Sequence, residues 1–167
     1  MSKQEINCML CGHSILDGEA RFYFPRLPPN HPLADLKGVL HTSCLISENA
    51  SKRIGDSLAE IAEWFAKKSD EAPLLVRNGN VVARDRVAEN RIEVLDFEDF
   101  CEISIPRAAL DQLRNAAPGS AIPLGMQVLH VKEHGELLIE HKSPAFNVEL
   151  PALGLNRLLS LVGSLKA

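Results

Sequence analysis

Four residues constrain this chain more than any others: Cys8 and Cys11, separated by Met9 and Leu10, and His41 and Cys44, separated by Thr42 and Ser43. Two ligand pairs at that spacing close a tetrahedral site of three thiolates and one imidazole, the donor set of a structural zinc ion. Gly12 follows the first pair and can take the positive φ that lets backbone N–H groups approach sulfur. The second pair leads into a helix-compatible run, Leu45 to Arg53. A knuckle, a hairpin and a ligand-bearing helix are therefore expected around the metal. His13 and His31 are the other histidines that would substitute for His41, and the pair spacing favours His41.

A chain of 167 residues holds one ordinary domain, or a small metal module fused to a domain of roughly 100 residues with its own core. The spacing of the ligand pairs favours the second arrangement. With 46% hydrophobic and 24% charged residues, neither wholesale disorder nor a membrane-spanning chain is expected. Glu5, Asn7, Cys8, Cys11, His13 and Asp17 interrupt any apolar leader, and no later run is long enough to cross a bilayer. A cytoplasmic protein is expected, where thiols stay reduced and cysteines at ligand spacing serve metal rather than disulfides.

Along the chain, Ile15 to Pro25 reads as a hairpin turning at Asp17-Gly18, with Phe22 and Phe24 on one face and Tyr23 on the other. Pro25, Pro28, Pro29 and Pro32 then punctuate a loop containing Asn30 and His31, either a recognition surface or a spacer. Ser57 and Glu60 have the spacing of a capping box, so a helix is expected from Leu58 to Lys68 with Leu58, Ile61, Ala62 and Phe65 inward and Trp64 at the edge of the core. After the Glu71-Ala72-Pro73 boundary, Asn78-Gly79 marks a hairpin between Leu74–Arg77 and Asn80–Arg84, and a strand follows near Arg91 to Leu95.

The last third contains an internal echo. Phe100 to Pro106 leads to Leu110 and Leu113, and Phe146 to Pro151 leads to Leu155 and Leu158 at the same offsets, each time strand, proline and helix. Between them Met126–Val131 and Leu137–His141 flank a turn at His134-Gly135, for a sum of β-α-β-β-β-α. The order Cys-x2-Cys, long loop, His-x2-Cys over residues 6 to 53 resembles the treble-clef zinc fingers, and its spacing is similar to the DNA-break-sensing finger of poly(ADP-ribose) polymerases. That resemblance implies Cys8, Cys11, His41 and Cys44 as zinc ligands. The C-terminal order, with phrases such as Ile105 to Leu110 and Ser143 to Pro151, resembles half of one domain of a bacterial sliding clamp at the level of fold. The fold class is thus expected to be α+β: a treble-clef-like zinc module over 1–55, a connecting helix over 56–72, and an α+β domain over 73–167 with antiparallel hairpins and two or three helices.

Charge bears on function. The net charge is −4, and Glu93, Asp96, Glu98, Asp99 and Glu102 fall together with Phe97 and Phe100 among them. Non-specific nucleic-acid binding rests on basic groups neutralising phosphates, so this balance disfavours it. A regulator of nucleic acid would have to use Arg21, Arg26, Lys37, Lys52 and Arg53 near the finger. The acid run suits a protein partner with a basic face. Catalytic sets are missing: the three-thiolate site is closed, His134-Gly135-Glu136 lacks the downstream cysteines of a zinc deaminase, and Cys101 reads as core. A treble-clef nuclease built on Asn30 and His31 is the enzymatic alternative. The expected function is that of a non-enzymatic, cytoplasmic protein-binding protein with structural zinc, an adaptor or a toxin-neutralising immunity-type inhibitor. The acids from Glu93 to Glu102 are its expected contact surface.

Overall fold

Every sheet among the described residues is antiparallel, and every one is a chain of sequence neighbours apart from the gap that the proline loop spans. The structure is a computed structural model that describes residues 5–142, 145–163 and 165, with the backbone alone for 145–153 and 155. Four helices and three sheets make an α+β chain among the described residues. None of these helices is long and apolar enough to cross a membrane.

The N-terminal module begins with a knuckle. Asn7 bridges Ser14, the Cys8 N–H donates to the His13 carbonyl at 2.8 Å, and the Gly12 N–H returns to the Cys8 carbonyl at 2.8 Å. Gly12 carries φ +76°, the left-handed geometry that this reversal needs. Strand β1 (Arg21–Phe24) pairs not with residues before Asp17-Gly18 but with β2 (Gly38–His41), Arg21 opposite His41 and Phe24 opposite Gly38. The hairpin therefore closes across the proline loop. Four prolines keep that segment out of the ladder, and the strands on either side hold its ends together. Phe22 and Phe24 are buried and Tyr23 exposed, as the alternation predicts.

Helix α1 (Thr42–Ser47) carries Cys44, and α2 runs from Ser51 to Ala66. The run from Leu45 to Arg53 is broken where Glu48 turns extended, with ψ 134°. The capping box at Ser57 is not used: Ser57 lies inside α2, and Ala50 precedes the helix without a side-chain cap. The earlier start brings in Ile54, and the buried side of the helix runs through Ile54, Gly55, Leu58, Ala59 and Ala66, with Ala62 partly buried against it. Phe65, seven residues after Leu58 and on the same side of the helix, is nevertheless 59% exposed, because with Leu58, Ile61 and Ala62 it lines an open cleft. Trp64, expected at the edge of the core, is 53% exposed, with its ring 4.9 Å edge-on to Phe65 and the Lys68 ammonium 3.6 Å above it.

Strands β3 (Leu74–Asn78), β4 (Val81–Arg86), β5 (Arg91–Asp96) and β6 (Cys101–Pro106) form one meander, followed by α3 (Leu110–Arg114). Strands β7 (Ala121–Pro123), β8 (Gln127–Val131), β9 (Glu136–Lys142) and β10 (Ala145–Gly154) form a second, followed by α4 (Leu155–Gly163). The internal echo is thus the end of a repeated unit, four strands and a helix, with Leu113 and Leu158 fully buried at equivalent offsets. Strand β7, which lengthens the expected order, is too short to show a period. Ser143-Pro144, the start of the clamp-like phrase, lies outside the described residues. Asn78 pairs with Val81, so the first hairpin turns at Gly79-Asn80, with Gly79 at φ +58° where a type II′ turn requires it.

Two cores result. One lies between the meanders and holds Val81, Ala83, Ile92, Ile105, Leu129 and Leu137 together with leucines of α3 and α4. The other joins the N-terminal module to the first meander, bringing Cys8, Phe22, Leu40, Leu45 and Leu58 against Val82, Phe97 and Phe100. Strand β4 is consequently buried on both faces, Val81 and Ala83 in one core and Val82 in the other. Phe22 is the hub of the second core, with rings 6.2 Å from Phe97 and 5.8 Å from Phe100, both edge-to-face.

Candidate metal centre

The pairing of β1 with β2 delivers His41 to the end of a strand, α1 then lifts Cys44 one turn above it, and the knuckle brings Cys8 and Cys11 from the other side. The ligand atoms of Cys8, Cys11, His41 and Cys44 all lie within 4.8 Å of one another, close enough to hold a metal ion. His41 Nδ1 stands 3.4 Å from Cys11 Sγ and 3.7 Å from Cys44 Sγ, while the His41 backbone N–H donates to Cys8 Sγ at 3.3 Å. Cys8 and His41 are buried and Cys11 is exposed, so the site sits at the surface with its back to the second core.

Sequence reasoning missed Glu19. Its carboxylate accepts the Leu16 N–H at 2.8 Å and faces His41 Nε2 at 3.3 Å, which fixes the ring with Nδ1 towards the thiols. Carboxylate, histidine and metal in line is a common outer-shell arrangement. Only the β1–β2 register shows it, and spacing alone carried no signal. The Leu16 N–H, followed by His41, holds the Glu19 carboxyl below its usual range.

Electrostatics fit the donor set to a cation. Burial pushes the Cys8 thiol up, but the N–H groups of Cys11, His41 and Leu10 outweigh it and bring the group down to about 6. Cys44 is pushed up to about 12 by burial and by the neighbouring Cys11 and Cys8 sulfurs. Three crowded thiolates repel one another, and a divalent ion at their centre reverses that repulsion.

His13 and His31 stand outside this group. His31 serves the proline loop instead, its Nδ1 accepting the Leu33 N–H at 3.1 Å. Of the basic residues near the site, Arg21 is bonded to the Leu16 carbonyl and Lys52 to Asp56. His134 is exposed in the β8–β9 turn. His130 faces Glu140 at 2.6 Å, and His141 lies opposite Gln127 across β8 and β9. Cys101 is half-buried, and burial, with Asp96 and Asp99 nearby, pushes its thiol up and keeps it protonated.

The acid run divides into two groups. Asp96, 1% exposed, accepts the N–H groups of Glu98 and Asp99 and pairs with Arg157 on α4, which also gathers Glu98 and Asp99. Burial still pushes the Asp96 carboxyl up against Arg157. Glu93, 8% exposed, is bonded to Arg84 and shares a hydrogen bond with Glu102. Burial raises Glu93, but the Arg84 and Glu102 bonds outweigh it and hold its carboxyl down. Glu102 is open to solvent yet walled in by a concave surface; that crowding, then the Glu93 hydrogen bond and charge, pushes it up to about 7. A carboxyl raised above its unfolded value stabilises the fold below about pH 4, and that contribution is lost as pH rises through about 7. Glu102→Gln is therefore expected to match wild type at pH 4 and to exceed it at pH 8 by about 1 kcal/mol, after allowance for screening by solvent. Urea unfolding at the two pH values measures the difference, and an advantage confined to pH 4 contradicts the assignment.

No protein-family model, no curated protein and no solved structure matches this chain.

Proposed function

We propose that this chain is a zinc-stabilised, non-enzymatic protein-binding protein of the cytoplasm, in which the metal holds a recognition surface rather than a reaction centre. Tetrahedral zinc with Zn–S of about 2.3 Å and Zn–N of about 2.0–2.1 Å sets a sulfur-to-nitrogen edge of about 3.5 Å. The 3.4 and 3.7 Å separations around His41 agree with that edge. Three thiolates and a histidine leave no open position for substrate or water, which is the structural rather than the catalytic pattern. The ligand order is that of the treble-clef fingers the sequence resembles.

The observation that carries protein binding is the Trp64–Phe65 pair, two adjacent aromatic rings left exposed near the C-terminal end of α2. Aromatic anchors of this kind dominate protein–protein contacts. The acids that reach solvent beside this core, Glu98 and Glu102, favour a partner with a basic face, whereas Glu93 and Asp96 act inside the fold. Affinity capture from the native cell, with identification of retained proteins and nucleic acids, tests the reading. A protein is expected, and Trp64→Ala with Phe65→Ala should weaken its binding at least tenfold without unfolding the chain. Retention of nucleic acid in its place, or equal capture by the double variant, would overturn it.

A further inference from the structure

A cleft of about 730 Å3 lies where the N-terminal module meets the two meanders. Pockets of roughly 300–1,000 Å3 enclose a small ligand, or an inserted side chain with its neighbours. The floor is apolar, formed by Leu58, Ala62, Leu95, Phe97 and Ile139. Glu102 and Ser104 from β6 and Gln127 and His141 from β8 and β9 line it as well. Tyr23 and Phe65, 68% and 59% exposed, also belong to its wall. Four acidic side chains line it, Asp17, Glu19, Asp99 and Glu102, against two arginines, Arg21 and Arg84.

Most of those charges are engaged within the fold. Arg84 holds Glu93, Asp99 is paired with Arg157, and Glu19 is bonded to Leu16 and His41. Glu102 differs because its side-chain neighbour on β5 is another carboxyl, Glu93, and burial together with that neighbour raises it to about 7. An apolar floor, exposed rings and a solvent-open carboxyl whose neighbouring arginines are already paired with Glu93 and Glu89 complement one kind of group, a cationic head on an aliphatic stem. We propose that the cleft receives a lysine or arginine side chain of a partner protein, its stem over the apolar floor and its head on Glu102. This rests on the protein-binding reading above and adds what the partner must present.

When the cation arrives, the proton that Glu102 holds below about pH 7 leaves to solvent, and Glu102 and Glu93 are then charged against the guest cation and Arg84. Arg84 and Arg86 face Glu102 from β4, but Glu93 and Glu89 respectively already neutralise them. Asp99, in the turn before β6, adds negative charge, and His141 faces the same space from β9. Binding is therefore expected to tighten between pH 6 and pH 8.

The test is a carbon-13 NMR titration of the full, metal-loaded chain, following the glutamate carboxyl carbons while n-butylguanidinium is added, with n-butylurea as the neutral counterpart. The Glu102 carboxyl signal should move saturably with n-butylguanidinium, which should bind at least tenfold tighter than n-butylurea and tighter at pH 8 than at pH 6. Glu102→Gln, which keeps the shape and the bond to Glu93, should weaken n-butylguanidinium about tenfold, the loss of one charge-assisted hydrogen bond. Asp111→Asn, at an exposed acid paired with Arg114 outside the cleft, should change nothing. Equal binding of the two probes, a motionless Glu102 signal, or undiminished binding by Glu102→Gln would each overturn the proposal. If the glutamine variant does not fold, the wild-type probe comparison decides alone. Failure here with Trp64- and Phe65-dependent capture of a protein intact discards the cleft and leaves the protein-binding reading standing.

Discussion

Chelation of the metal, or replacement of Cys11 with alanine, is expected to unfold the N-terminal half of the chain and to expose one face of the first meander. Structural zinc contributes on the order of 10 kcal/mol or more to small modules, against a total stability of about 5–15 kcal/mol for a folded domain. The module has little to replace it: β1 and β2 are four residues each and α1 is six. Its core is also not its own, since Val82, Phe97 and Phe100 from the first meander pack with Cys8, Phe22 and Leu45. Elemental analysis of protein purified without added metal should return one zinc per chain. Hydrogen exchange after chelation should show protection lost across β1, β2, α1 and α2 and reduced in β4, while β8 and β9, in the other core, keep theirs. A metal-free chain with wild-type protection throughout would refute the central reading.

What the sequence made legible follows the range of each interaction. Cys8, Cys11, His41 and Cys44 were readable because ligand pairs separated by two residues are a local pattern, and the β8–β9 hairpin because Leu129 and Val131, then Leu137 and Ile139, lie at alternate positions on either side of His134-Gly135. Glu19 was not readable, because its meeting with His41 depends on a strand pairing that spans the proline loop. The same pairing displaced the hairpin expected at Asp17-Gly18, whose turn chemistry is satisfied without a ladder. In α2 the helix begins at Ser51 instead of Leu58, which adds Ile54, and Phe65, on the same side as Leu58, Ile61 and Ala62, is left exposed because an open cleft and not the core covers it. In the acid run, a string of like charges reads as a solvated surface. Arg157, distant in sequence, converts Asp96 and Asp99 into parts of a buried joint. Long-range partners are what a window along the chain cannot supply.

The joint between the two halves of the chain also predicts a substitution whose sign runs against helix propensity. Gly55 lies in the interior of α2, where alanine ordinarily stabilises by about 0.5–1 kcal/mol relative to glycine. Here a β-carbon at Gly55 would overlap the Phe97 carbonyl oxygen and stand 3.3 Å from its carbon, contacts with backbone that no rotamer change relieves. The turn cannot easily withdraw. Asp96 ties it from below through the N–H groups of Glu98 and Asp99, and the Thr42 hydroxyl donates to the Phe100 carbonyl at 3.3 Å. Phe100 is meanwhile held at φ +50°, unfavourable for a bulky side chain, by complete burial in the second core. Pushing the turn away from α2 separates Phe97 and Phe100 from Phe22 and opens the core that backs the metal ligands. Gly55→Ala is therefore expected to destabilise by about 3 kcal/mol, the upper end of overpacking costs. Urea unfolding at saturating metal measures it, together with a fall in metal affinity as the ligand-bearing half loosens. An alanine variant as stable as wild type, or more stable, would mean that α2 and the Phe97–Phe100 turn do not meet in this way, and that the two halves of the chain are joined elsewhere.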